Sequence, residues 1–442
     1  MADYKSLSIA DPGESSPFQK IGSTLAALGL LSFLVAAFGM GKQFPITFFW
    51  LITGLLAIGG IIYSLPYFTA LPGIKNNGIM QKGITNRGAV AWGTAIFITG
   101  FYIILYWFPH LLDGLIRMMD PLSLMLRGKE SNQWFMYSMF YTLAILIMGI
   151  KFIGKYRHNR YQIIRTISVM FFQLGFAFLL PAFLEKLNQP EFYFSYFWPL
   201  KYSYLFPDDV GGLISSGHIG IFMVFWGAVM TFIATPILTY KYGKRWYCSW
   251  VCGCGGLAET AGDPYRHLSD KSLKAWKIER WLIYPILLVI TIITILLWIN
   301  SWKGGTLLGG ISGTLAMWYG FFIGSIFSGV IGTGFYPLMG PRVWCRFGCP
   351  MAAVLGLIQR FKSRFRITTN GGQCISCGNC STYCEMGIDV RAYAQKGENV
   401  IRASCVGCGI CATVCPRGVL KLENLTEKGR FDKYYRPADK QI

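Results

Sequence analysis

Cys374-Ile-Ser-Cys377-Gly-Asn-Cys380-Ser-Thr-Tyr-Cys384 is followed, 31 residues on, by Cys405-Val-Gly-Cys408-Gly-Ile-Cys411-Ala-Thr-Val-Cys415-Pro416. Both runs have the spacing C-x2-C-x2-C-x3-C of the bacterial ferredoxin pattern. In that pattern three thiolates of a run reach three irons of one cube, and the fourth crosses to the other cube. The spacing therefore predicts a small α+β domain with two [4Fe–4S] clusters. Cys374, Cys377, Cys380 and Cys415 would hold the first, and Cys405, Cys408, Cys411 and Cys384 the second. Zinc also uses paired C-x2-C motifs, but two intact four-cysteine runs favour clusters. Gly378 and Gly409 fit backbone turning tightly around a cube. One departure separates the runs: Pro416 follows Cys415, whereas Glu385 follows Cys384. That difference is expected to change turn geometry or potential, not ligation.

Working outward, all 13 cysteines lie between Cys248 and Cys415. A second, looser repeat precedes the runs. Gly243-Lys-Arg245-Trp-Tyr247-Cys248-Ser-Trp-Val-Cys252-Gly253 matches Gly340-Pro-Arg342-Val-Trp344-Cys345-Arg-Phe-Gly-Cys349-Pro350 in the form G-x-R-x-aromatic-C-x3-C-[GP]. On one helix, C-x3-C would set both thiols on a single face, a turn apart. Three readings are open for Cys248, Cys252, Cys345 and Cys349: a third cluster or another soft metal, redox-active dithiols, or buried packing cysteines. Arg245 and Arg342 would sit beside such a thiolate site or contact lipid headgroups. Cys254 has no counterpart in the repeat and is read as structural.

The rest of the chain is apolar. Of 442 residues, 53% are hydrophobic and 14% charged, against roughly 25% charged in soluble domains. Eight blocks are free of Asp, Glu, Lys and Arg: Ile21–Met40, Ile46–Leu65, Ala89–Phe108, Trp134–Ile150, Thr166–Leu184, Ile219–Tyr240, Trp281–Ile299 and Phe321–Met339. Their lengths suit a hydrocarbon core of about 30 Å, so the predicted fold is an all-α domain of eight transmembrane helices followed by the ferredoxin-like domain. The first block lacks a cleavage-like ending and is not read as a signal peptide. With eight spans, 34 of the 41 Lys and Arg fall on the side of both termini and 7 on the other. Basic residues stay cytoplasmic. Both termini and the ferredoxin domain are therefore expected in the cytoplasm of a prokaryote with a multi-pass inner-membrane anchor. A reducing compartment disfavours disulfides there and points the thiols to metal. The net charge of +20 reads as topology charge beside anionic lipid, not as a nucleic-acid surface.

Absences narrow the function. The four histidines, His110, His158, His218 and His267, all lie outside the predicted spans, so no intramembrane haem is expected. No ionisable group lies inside a span, which disfavours ion pumping by this chain alone. A quinone site would draw on His218, Asp208, Asp209 and Glu185 before the sixth span, where a solvated loop is the plainer reading. His158 and His267 are expected to be solvated.

From about Gly217 to Leu425 the chain resembles the NosR/NapH/CcoG-type family of membrane-bound polyferredoxins. The resemblance rests on the two C-x3-C elbows after transmembrane helices together with the double ferredoxin run. Pro after the second elbow cysteine holds at Pro350 but not at Gly253. The resemblance implies electron transfer between the quinone pool and a redox partner complex, as a quinol dehydrogenase-type oxidoreductase subunit. It also allows an assembly factor that reduces or passes on copper through the elbows, and a redox sensor is a third class. The expected organisation is a membrane domain over 1–340 with elbows at 243–256 and 340–350. An interfacial connector over 351–366, lying on the leaflet, leads to the di-cluster domain over 367–425 and a charged tail over 426–442.

Overall fold

The computed structural model describes residues 15–69, 85–370 and 373–424. Among these, eight helices are long and apolar enough to cross a membrane: α1 Pro17–Gln43, α2 Pro45–Thr69, α3 Ala89–Trp107, α4 Gln133–Lys155, α5 Arg160–Lys186, α6 His218–Tyr242, α7 Leu273–Trp302 and α8 Ile311–Gly334. Large apolar side chains such as Trp50, Phe225 and Trp281 remain exposed on their outer faces, as a lipid solvent requires. The multi-pass membrane fold is thus the one that the charge-free blocks imply.

Side-chain caps set several helix starts. Ser16 and Gln19 bond reciprocally before α1. The Asn132 side chain accepts the Phe135 N–H at 2.9 Å before α4, and Ser272 accepts the Ala275 N–H at 3.1 Å before α7. Each satisfies an amide that the first turn leaves orphaned.

Several boundaries differ from the sequence reading. The last span runs over Ile311–Gly334, not Phe321–Met339. Pro337 belongs to a separate turn, Tyr336–Met339, because a proline inside the helix would remove an amide donor and clash with the carbonyl four residues earlier. In addition, α4 and α5 extend past their apolar cores. Lys151, Lys155 and Arg165 therefore lie on helix ends, and all three are buried. Four spans contain π-helical stretches, Ala36–Met40 in α1, Phe172–Leu179 in α5, Met230–Ala234 in α6 and Gly320–Ile331 in α8, a distortion common at functional sites.

After α8 comes α9, Pro350–Phe361. One face of it is packed against the helical domain. Met351, Ala352, Ala353, Leu355 and Gln359 are buried, and α9 packs on α7 and on the end of α6. Small residues allow this approach, while Leu357, Arg360 and Phe361 stay exposed. Strand β1, Phe365–Thr369, then pairs antiparallel with β2, Leu420–Asn424. A single hydrophobic core joins the two regions, running from Tyr247 and Ile283 through α9 to Phe365, Val390, Val406 and Leu420. The expected tail over 426–442 lies outside the described residues.

Candidate metal centre

The local sequence builds each cysteine run in the same way. Gly378 and Gly409 adopt left-handed φ of 80° and 76°, which a side chain would strain. Each precedes a one-turn helix, Asn379–Thr382 or Ile410–Thr413. Cys374, Cys377, Cys380 and Cys415 line one small cavity, and Cys384, Cys405, Cys408 and Cys411 line another. The fourth cysteine of each run has crossed to the other run's cavity. Among the described residues no group of three His, Cys, Asp or Glu side chains converges tightly enough for a single metal ion. Thiols spread around a cavity suit a cube of irons and sulfides better than one tetrahedral zinc. Burial pushes the Cys380 and Cys405 thiols up to about 12, so ligation there releases protons.

The elbows also repeat in three dimensions, though not as continuous helices. The Cys252 N–H donates to Tyr247 O at 2.9 Å, and the Cys349 N–H donates to Trp344 O at 2.9 Å. This six-residue turn closes on the repeat's aromatic position and ends the helix. The second cysteine is then extended and becomes the N-cap of the next helix, Gly253–Thr260 or α9. The two thiols of an elbow therefore belong to different helices, which corrects the one-face expectation. Cys349 Sγ accepts the Ala352 N–H at 3.4 Å. Cys252 is held down to about 7, first by the Cys254 thiol and then, against burial, by the Gly255 and Cys254 amides. A helix N-terminus favours thiolate in this way. Cys248, Cys252, Cys345 and Cys349 are 5–6% exposed and share one core with Cys254 against it.

The arginines of the repeat part company. Arg342 is buried, and its Nη1 lies 3.6 Å from Cys345 Sγ. Arg245 instead donates to Asn424 Oδ1 at 3.0 Å and stacks over Phe365 and Tyr161. Arg342 is too deeply buried to contact lipid headgroups.

Arg342 belongs to a buried chain of alternating charge. Lys155 meets Asp263 at 2.6 Å, Asp263 meets Arg266 at 2.8 Å, and Arg266 meets Glu385 at 2.7 Å. Glu385 meets Arg342 at 2.9 Å, Arg342 meets Glu259 at 2.6 Å, and Glu259 pairs with Arg165. The contacts to Glu385 are ion pairs by distance but too bent for linear hydrogen bonds, so the attraction there is chiefly Coulombic. Burial works to raise Asp263 and Glu385, and their arginine and lysine neighbours override it, holding Asp263 at about 2 and Glu385 below its usual range. Glu385, the departure from Pro416, is thus the small domain's anchor in the membrane domain.

The second run is also hydrogen-bonded to its surroundings. Gln359 Nε2 donates to Arg402 O and Cys405 O at 2.8 and 2.7 Å. Ser249 Oγ donates to Val406 O at 2.8 Å, Tyr161 OH to Gly407 O at 3.0 Å and Gln162 Nε2 to Cys408 O at 2.9 Å.

Above the elbows, inside the helices, lies a cavity of about 580 Å³. Tyr137, Tyr141, Tyr196 and Tyr202 wall it, the π-helical stretches of α5 and α8 contribute Gln173, Gly324 and Ser328, and Cys254 reaches it from the elbow side. Gly253 explains its own departure from proline, since a Cβ there would lie 2.3 Å from Gln173 Oε1 and 2.5 Å from Tyr196 OH. Glu185, paired with Arg127, lines the cavity, whereas Asp208, Asp209 and His218 do not. The acids grouped in the sequence are therefore separated. His267 is half-buried against Thr85 O at 2.8 Å, not solvated. Sequence reasoning passed over Glu259, Asp263 and Arg266, and read Cys254, which lines the cavity, as structural. The one signal for the two acids was their place in a loop, 241–280, that is otherwise predominantly basic.

Residues 373–420 match the 4Fe-4S dicluster domain family, and residues 222–273 and 314–368 each match a 4Fe-4S binding domain family. The second pair of matches covers both elbows. The chain is similar to iron–sulfur electron-transport proteins. One curated relative, "Putative electron transport protein YccM" of Escherichia coli (strain K12), is 27% identical over 216 residues, covering 43% of this chain and 52% of the relative. The chain thus spans about half the length of the curated relative it matches. No solved structure matches it.

Proposed function

We propose that this chain is a membrane-embedded electron conduit between the quinone pool and a redox partner complex. The observation that carries the reading is the stacking of sites: an aromatic intramembrane cavity, the four elbow thiols and the two four-thiol cavities, joined by one core. In this reading Cys374, Cys377, Cys380 and Cys415 hold one [4Fe–4S] cluster, Cys405, Cys408, Cys411 and Cys384 hold another, and the elbow cysteines form a third thiolate site. Clusters bound there would supply one-electron relays. The chain's own residues do the rest. The tyrosine walls accept a flat aromatic ring, Arg127 and Glu185 give the cavity a charged wall, and Arg342 offsets thiolate charge at Cys345. The excess of basic residues on the side of the termini supports a cytoplasmic ferredoxin domain. Burial of all four elbow thiols favours this reading over copper hand-off, which needs a reachable thiol.

Stopped-flow reduction by a soluble quinol in nanodiscs tests it. Wild-type protein should show quinol-driven bleaching of the cluster absorbance. Ser328→Trp, which fills the cavity, should slow that bleaching at least tenfold while iron content and dithionite reduction stay unchanged. Wild-type protein that quinol cannot reduce would overturn the proposal.

A further inference from the structure

The two cysteine runs are related by sequence but face different surroundings. In the second run, Val406 stands between Cys405 and Cys408 and is 1% exposed, pressed against the membrane domain. The carbonyls of Arg402, Cys405, Val406, Gly407 and Cys408 all accept hydrogen bonds from Gln359, Ser249, Tyr161 and Gln162. This loop is a completed interface.

The equivalent position in the first run is Ile375, between Cys374 and Cys377, and it is 55% exposed. Gln373 and Ser376 beside it are exposed, and Cys374 and Cys377 are partly so. The Ser376 hydroxyl is hydrogen-bonded by Gln395 Nε2 at 2.6 Å, inside the small domain. The rim is cationic. Arg391 and Arg417 line this cavity together with exposed Pro416, and no carboxylate lines it. Neither guanidinium has an ion-pair partner among the described residues. Asp389, the nearest acid in sequence to Arg391, is engaged by the Ser381 hydroxyl at 2.6 Å.

We propose that the face formed by Ile375, Arg391, Pro416 and Arg417 is the docking surface for a small, soluble, acidic one-electron carrier protein. The proposal rests on the iron–sulfur reading above. The position that Val406 uses against the membrane domain is left bare at Ile375, so the fold's internal repeat itself marks the place of a second interface. The membrane domain meets its loop mainly with neutral donors, Lys244 Nζ on Ala403 O at 3.3 Å being the charged one. The bare face presents two guanidiniums without an ion-pair partner among the described residues, and an apolar centre within a cationic rim fits a partner whose own redox group is ringed by carboxylates. The thiols of this run are also the more exposed of the two sets, and a carrier must approach a redox group closely.

The test uses the full chain in zwitterionic nanodiscs with an acidic [2Fe–2S] ferredoxin as the probe. Wild-type protein should bind the probe, and binding should weaken at least tenfold between about 50 and 300 mM salt, as exposed charges are screened. Arg391→Glu with Arg417→Glu should lose binding at least tenfold at low salt. The same variant should gain binding of a basic c-type cytochrome. Ile375→Asp should lose the ferredoxin with the rim charges intact. Iron and sulfide assays accompany every sample. Wild-type protein without iron sinks the cluster reading on which the proposal stands. Normally loaded charge-reversal protein that still binds the probe sinks the docking surface alone. Self-association of wild-type chains abolished by the same substitutions assigns the face to a second copy and also overturns the proposal.

Discussion

Glu385 carries the largest consequence of any single residue. The sister run has proline at this position, and the sequence alone marked only the difference. In the fold its carboxylate lies between Arg266 and Arg342, fully buried. Removing one partner of a buried ion pair strands the other charges, at a cost of about 3–5 kcal/mol. Glu385→Gln should therefore loosen the docked loop 402–408 by that order, read as faster amide exchange at Val406, Gly407 and Cys408. Unchanged protection there would show that the hydrogen bonds from Gln359, Ser249 and Gln162 hold the domain without the ion pairs. Gly253 carries a smaller lesson of the same kind. Its lack of a side chain reads as a weakened motif until Gln173 and Tyr196 appear beside it.

Among the elements, the elbows matter most. Each closes a six-residue turn on an aromatic residue's carbonyl and hands its second cysteine to the start of a new helix. This arrangement points the second sulfur at backbone amides of the next helix, which a single continuous helix would not do. Anaerobically purified protein should hold about eight irons from the two cysteine runs and about twelve with the elbow site filled. Cys248→Ser and Cys345→Ser should each lower the higher figure by about four and leave the remaining clusters' electron paramagnetic resonance signals unchanged. Equal iron in wild type and both variants would make the elbow thiols packing residues. Helix α9 links this element to the next, since Gln359 bonds both the Lys244 amide at the first elbow and the carbonyls of the second run.

For the whole molecule the decisive arrangement is vertical. The cavity among the helices, the elbows, the inner run and the outer run succeed one another from the helical domain into the small domain. The buried ion-pair chain fixes the small domain to the ends of α4 and α5 and to the loop 241–280. That stacking works in one direction only if both termini share a side. Reporter fusions after Lys20 and after Ile442 should both give cytoplasmic signals. A C-terminal fusion active outside would invert the charge argument and place the proposed docking face in the wrong compartment for a cytoplasmic carrier.

The sequence by itself determined the eight crossings and the two cysteine runs. Both are local properties. A long stretch without charge has little alternative to a helix in lipid, because its backbone must satisfy itself. Four thiols within eleven residues of chain declare their chemistry wherever the chain folds. Only the tertiary structure decided which run faces inward, why Glu385 replaces proline, that Arg342 and Arg245 have different tasks, and that Cys254 borders a cavity. Those facts depend on contacts between residues far apart in sequence, such as Arg342 with Glu259 and Gln162 with Cys408. Such contacts follow from packing in three dimensions, and no spacing along the chain encodes them.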